Sequence, residues 1–124
     1  MNTILSGSSD RSVRLWDIRS GQQTQVFNGH RDYVYAVEYS PFVINNSDGS
    51  PNVLCSGSLD NTIRFWDIRS SKKQLYAMKL DEGIGCLKYI GLKKKINDYE
   101  QKSNGDSSIN LCYGSKNGSI CIWG

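Results

Sequence analysis

Two segments of this chain, ILSGSSDRSVRLWDIR from Ile4 to Arg19 and LCSGSLDNTIRFWDIR from Leu54 to Arg69, agree at nine of sixteen positions. A third, weaker copy, LCYGSKNGSICIWG, runs from Leu111 to Gly124, and Trp16, Trp66 and Trp123 fall at one place in the unit. Repetition constrains a fold more than any single residue does, because each unit must bury its apolar face against a neighbour of the same kind. Val34 to Tyr39 aligns with Ile84 to Tyr89 at a displacement of 50 residues, which extends the repeat beyond the tryptophan segment.

Within the unit the pattern is that of short strands. Val13 and Leu15 alternate with Ser12 and Arg14, the period of two expected of a half-buried strand. Asp10 and Asp60 stand in tight polar turns, where a short carboxylate side chain bonds the turn backbone. Gln23 to Phe27 and Gln74 to Lys79 have the polar composition of exposed edge strands. The run Val34 to Tyr39 ends at Ser40-Pro41, since proline cannot continue a central ladder. Residues 42–52 read as a loop insertion, and 91–108, polar and aperiodic, as a flexible one. The unit is therefore four strands, a to d, with b and c forming the repeated hairpin; the chain starts in strand b and ends in strand c, ten strands in all.

The net charge of +3 is modest and the lysines are dispersed, apart from Lys72-Lys73 and Lys93-Lys94-Lys95, which argues against a nucleic-acid surface. Cys55, Cys86, Cys112 and Cys121 lie singly in apolar runs, without a CxxC pair and with one histidine in the chain, so no zinc site is expected. They read as buried, reduced strand residues. No signal peptide and no apolar run of about 18 residues is present, so a cytoplasmic or nuclear protein without membrane contact is expected, its Asn-x-Ser sequons at Asn45 and Asn117 unused.

Gly29-His30, then VxxVxYSP from Val34 to Pro41, then SGSxDxTIRxWD from Ser56 to Asp67 resembles the WD-repeat (WD40) family of β-propellers. The resemblance implies an all-β fold, an incomplete β-propeller of about two and a half four-stranded antiparallel blades, forming one partial domain over 1–124. The sequence units are a blade part at 1–19, a blade at 23–67 and a blade at 74–124. The tryptophans are spaced more widely than the usual propeller repeat of about 40–45 residues, and both excesses fall between strands a and b. The family's hydrogen-bonded tetrad, carried over, falls on His30, Ser56, Asp60 and Trp66, with Ser58 an alternative for the hydroxyl. In a meander the d–a loop holding His30 and the b–c turn holding Asp60 emerge at one end of the blade. In the third copy Tyr113 replaces the serine and Asn117 the aspartate, and Asp81-Glu82-Gly83 stands where Gly-His is expected, so packing should hold that blade.

Closed propellers typically have 4–8 blades, so the chain is expected to be a fragment of a longer repeat protein, with assembly of several copies as the alternative. Both outer blade faces should be apolar and exposed. The expected function is a non-catalytic protein-interaction scaffold. The His/Ser/Asp set is explained by the repeat, and no nucleophile elbow accompanies it, so no catalytic site, cofactor or metal is expected. Arg31, Asp32 and Tyr33 at the His30 end, with Leu59 and Asn61, are candidate partner contacts. At the other end Trp-Asp-Ile-Arg, closing on Arg19 and Arg69, resembles the box by which substrate receptors of cullin–RING ubiquitin ligases dock their adaptor. An RNA- or chromatin-associated propeller is a further alternative, motivated by the lysines of 91–108.

Overall fold

A computed structural model describes residues 2–40, 52–69, 74–93 and 107–123, of which 91–93 and 107–109 are described by their backbone alone. Ten strands are described: β1 (Thr3–Gly7), β2 (Ser12–Asp17), β3 (Gln23–Asn28), β4 (Val34–Tyr39), β5 (Val53–Ser58), β6 (Thr62–Asp67), β7 (Gln74–Lys79), β8 (Ile84–Lys93), β9 (Ser107–Ser115) and β10 (Ile120–Trp123). They form three antiparallel sheets in the orders β1-β2-β3, β4-β5-β6-β7 and β8-β9-β10. The architecture is an incomplete β-propeller.

The sheets and the sequence units have different boundaries. Residues 23–28, grouped with 34–67 on sequence, pair with β2 of the preceding sheet, so the complete blade is 34–79 rather than 23–67. The reason is local: a short turn returns the outer strand to the hairpin it follows, whereas the next segment starts a new sheet. The third sheet also corrects the extent of the expected insertion. β8 continues to Lys93 and β9 starts at Ser107, with Gly91 opposite Ile109 and Lys93 opposite Ser107. Backbone pairing does not require the apolar alternation on which a composition reading depends. The remainder of that insertion, 94–106, and residues 42–51 of the first lie outside the described residues.

Two apolar layers join the three sheets. Val13, Leu15 and Phe27 of the first sheet meet Val34, Leu54 and Trp66 of the second. Cys55, Ile63 and Met78 on the other face of the second sheet meet Ile84, Leu87 and Leu111 of the third, with Phe65 partly buried against them. Both faces of the middle sheet are therefore covered, and every residue of β5 is buried. Each fully buried large apolar side chain contributes about 1.5–3 kcal/mol, and these two layers are the core of the described residues.

Glycine makes the close approach of the sheets possible. A Cβ at Gly57 would stand 2.4 Å from Ile84 Cγ2, and one at Gly7 would stand 2.8 Å from Val34 Cγ1. Each glycine is a notch that receives the first residue of the next sheet.

The two outermost faces are apolar and open. Ile4 on the first sheet is 53 % exposed, and Ile120 and Ile122 on the third are 77 % and 63 % exposed. This also corrects the reading of the cysteines: Cys55 is buried, but Cys86 is exposed and Cys112 and Cys121 are half-buried. Register places Cys86 and Cys112 on the same open face as Ile120 and Ile122, away from the second sheet.

Gly57→Ala is expected to lower stability by about 1–3 kcal/mol through overpacking against Ile84. Gly85→Ala, whose Cβ would meet only the Gly114 carbonyl at 3.8 Å, should leave the denaturant midpoint nearly unchanged. Equal midpoints for the two variants would show that the notch does not control sheet spacing.

Candidate functional site

The middle sheet places four polar side chains in one line. The Trp66 Nε1–H donates to Ser56 Oγ at 2.9 Å, Ser56 Oγ–H donates to His30 Nε2 at 2.7 Å, and His30 Nδ1–H donates to Asp60 Oδ2 at 2.8 Å. The tautomer is assigned from this network, in which every hydrogen runs in one direction. His30 comes from the loop after β3, Ser56 from β5, Asp60 from the β5–β6 turn and Trp66 from β6, so the line ties the first sheet's exit loop to the second sheet. His30, Ser56 and Trp66 are buried.

Asp60 is held from further directions. It accepts the Arg31 N–H at 2.9 Å, the Thr62 N–H at 2.9 Å and the Thr62 hydroxyl at 2.5 Å. Burial works to raise its pKa, but these donors and His30 outweigh it and hold the carboxyl at about 2. Burial lowers the His30 pKa despite the neighbouring carboxylate. A neutral imidazole suits the geometry, because a proton on Nε2 would take away the acceptor that the Ser56 hydroxyl hydrogen has in this line. Thr62 and Arg64, whose Nε donates to Thr62 Oγ1 at 3.1 Å and whose Nη1 donates to Gln74 at 2.7 Å, were missed on sequence. Their signal was present in Asp-x-Thr-x-Arg, repeated as Asp10-x-Ser12-x-Arg14. Ser58 lies outside the line and braces the turn instead. Its hydroxyl donates to the Asp32 carbonyl at 3.1 Å and its Oγ accepts the Asp60 N–H at 3.1 Å.

The family model described as "WD domain, G-beta repeat" matches residues 1–17 and 21–67, just over half of the chain. The chain belongs to the WD-repeat family. Its similar proteins include the transcription initiation factor TFIID subunit 5 of Caenorhabditis elegans, 48% identical over 40 residues, which are 32% of this chain and 6% of that one. The guanine nucleotide-binding protein subunit beta of Lymnaea stagnalis is 48% identical over 40 residues, 32% of this chain and 12% of that one. The WD repeat-containing protein pop1 of Schizosaccharomyces pombe is 43% identical over 37 residues, 30% of this chain and 5% of that one. The chain thus matches only a small part of these relatives' length. Among solved structures, the computationally designed Ika4 protein superposes with a TM-score of 0.64 at 23% identity over 99% of this chain and 60% of that one, a likeness of fold. WD-repeat proteins of this kind serve in general as protein-interaction scaffolds.

The other two WD copies hold parts of the network. In the first, Trp16 Nε1–H donates to Ser6 Oγ at 2.9 Å and Asp10 accepts the Ser12 N–H at 3.0 Å. In the third, Asn117 Oδ1 accepts the Ser119 N–H at 2.9 Å and the Ser115 hydroxyl, and Leu87 and Leu111 pack the sheet against its neighbour.

The candidate partner contacts divide. Arg31 and Tyr33 are exposed. Asp32 is taken up by its own turn, its Oδ1 accepting the Tyr33 N–H at 2.7 Å and its carbonyl the Ser58 hydroxyl. Tyr35 was not expected here. It is the extra residue of a bulge between Val34 and Ala36, which turns its side chain outward. Its ring meets Tyr33 edge-on, centroids 6.3 Å apart, with exposures of 44 % and 55 % for Tyr33 and Tyr35. At the opposite end Arg69 grips Asp67 through Nε at 3.0 Å and Nη2 at 2.9 Å, whereas the Arg19 N–H donates to Asp17 at 3.3 Å and its side chain is exposed. Leu80 lines two open cavities: one of about 340 Å³ bordered by Arg31, Asp60, Asn61, Arg64 and Lys79, and one of about 200 Å³ in the third sheet. Among the described residues no group of three or more His, Cys, Asp or Glu could hold a metal ion.

The lowered His30 pKa sets the sign of the pH dependence. Below the ordinary value of 6.5 the unfolded chain takes up a proton that the buried imidazole refuses, so stability is complete above that pH and declines as the pH falls through it. The urea midpoint is expected to be lower at about pH 5.5 than at about pH 7.5. His30→Gln, removing the chain's single histidine, should flatten that difference, and a slope that persists in the variant would place the titration elsewhere. Trp66→Ala should cost about 3–5 kcal/mol. Asp60→Ala, which strands buried donors, should cost about 3 kcal/mol; proteolytic resistance unchanged from wild type would contradict both.

Proposed function

We propose that this WD-repeat chain is a non-catalytic scaffold that meets a partner protein through the end carrying Arg31, Tyr33 and Tyr35. The observation that carries the reading is the exposed, edge-to-face tyrosine pair beside an exposed arginine. Tyrosine and arginine are favoured interface anchors, because each offers a large contact area together with a polar group. The tyrosines are held in place by the bulge at Tyr35 and by the Asp32 turn, so little ordering is required on binding. On the same reading the open faces around Ile4 and around Ile120 and Ile122 are covered by further blades, from a longer form of the chain or from another copy. Cytoplasm or nucleus is the proposed location, as for an interaction module.

A second reading is favoured by one observation: Arg19 and Arg69 are both exposed and both follow the β2 and β6 strand ends. On that reading this opposite end docks the adaptor of a cullin–RING ubiquitin ligase. The Asp67 clamp fixes Arg69 in one orientation.

A photo-crosslinking residue placed at Tyr33 or Tyr35, compared with one at Arg19 or Ile18, distinguishes the two ends. Adducts with a discrete partner protein are expected from positions 33 and 35, and should be lost in Arg31→Ala. Adducts from positions 18 and 19 alone would reject the tyrosine surface and support the adaptor reading, to be checked by loss of adaptor recovery in Arg19→Ala/Arg69→Ala.

A further inference from the structure

The cavity of about 200 Å³ in the third sheet is lined by Tyr113, Asn117 and Ser119, the counterparts of the three residues that bond His30 in the second. Register establishes the equivalence. Ser56 pairs with Arg64 and Tyr113 pairs with Cys121, each pair one step from the matching Gly57–Ile63 and Gly114–Ile120 pairs. Tyr113 therefore stands for Ser56, Asn117 for Asp60, Ser119 for Thr62 and Cys121 for Arg64. The connection that delivers His30 runs from residue 29 to 33 between β3 and β4, whereas its counterpart runs from 80 to 83 between β7 and β8, one residue shorter. No imidazole enters, and the polar walls that surround one in the second sheet enclose an open pocket in the third.

The charge of the pocket differs from that of its counterpart. Its border includes Asp81 and Glu82 with the polar groups of Tyr113, Ser115, Asn117 and Ser119, and among the described residues no cationic side chain lines it. Arg64, which approaches Asp60 to 3.8 Å in the second sheet, is replaced by Cys121. Arg31, Arg64 and Lys79 border the separate cavity beyond Leu80, and Lys116 in the adjoining turn is not part of the border. A concave site that offers hydroxyl, amide and carboxylate oxygens suits a group that brings N–H donors and positive charge.

We propose that this vacated histidine position is a binding pocket for a cationic side chain, lysine or arginine, of a partner protein. The partner's ammonium or guanidinium supplies the donors that an imidazole supplies in the second sheet, and Asp81 and Glu82 balance its charge at the pocket mouth. The inference deepens the reading that this end of the blades meets a protein, and it can fail while that reading stands, because its test uses small cations and no partner.

The test is a titration of the 15N-labelled chain with methylguanidinium and n-butylammonium, each followed by backbone amide shifts. Methylurea and n-butanol serve as neutral controls. Saturable shifts confined to Glu82, Tyr113, Ser115, Asn117 and Ser119 are expected with the cations and not with the neutral probes. In Asp81→Asn/Glu82→Gln the affinity should fall about tenfold, the scale of two lost exposed charge pairs, and Ser119→Phe, which fills the pocket from a turn-proximal position, should abolish the shifts. Shifts of equal size with the neutral probes, shifts unchanged in the carboxylate variant, or no saturable shift would each overturn the proposal. Loss of the crosslinks from positions 33 and 35 would instead reject the wider surface and leave the pocket in place.

Discussion

Trp66 is where the two kinds of cohesion in this molecule meet. Its ring packs on Phe27 of the preceding sheet at 5.8 Å between centroids and stands edge-on to His30 at 6.2 Å, and its N–H begins the line that ends at Asp60. Apolar burial alone would let neighbouring sheets slide, since it is non-directional. The hydrogen-bonded line fixes the loop that leaves the first sheet onto the turn of the second, and so sets the angle at which one blade follows another. A buried network is worth having only when each member is satisfied, and Asp60, with donors from Thr62, Arg31 and His30, meets that condition.

The three sheets form a graded series around this arrangement. The second holds the full line and has both faces covered. The first keeps the Trp16–Ser6 bond and the Asp10–Ser12 turn but no histidine. The third keeps the apolar layer and loses the line, so packing through Ile84, Leu87 and Leu111 positions it. A cavity borders the third sheet at the counterparts of Ser56, Asp60 and Thr62, and in the binding mode proposed for it a position that is structural in one repeat serves recognition in the next. Repeat folds allow this because each unit needs only enough contact with its neighbours to remain in register.

Much of the site was legible in the residues themselves. The tetrad positions follow from a family resemblance carried by Gly29-His30, Ser56, Asp60 and Trp66, and the strand count follows from alternation and turn chemistry. Thr62 and Arg64 were equally visible, as a repeated Asp-x-Thr/Ser-x-Arg, but neither a threonine nor an arginine in a strand marks a hydrogen-bonded network by its residue type alone. Tyr35 was not legible, because a bulge reverses the direction of one side chain without any mark in the local pattern. The extension of β8 to Lys93 and of β9 back to Ser107 was hidden for a related reason: ladder hydrogen bonds belong to the backbone, and polar composition does not report them.

By itself the sequence determined that the chain is built from repeated four-strand units, which residues form each hairpin and which polar groups can meet at a blade end. Spacing and residue type suffice for that, since strand period, turn preference and donor–acceptor chemistry are local properties. Only the tertiary structure decided where one sheet stops and the next starts, which cysteines are covered, that Asp32 serves its own turn, and that the third repeat holds an open pocket where the second holds an imidazole. Those outcomes depend on which face of a strand meets a neighbouring sheet and on how neighbouring turns and loops close on one another, and neither is a property of any segment taken alone.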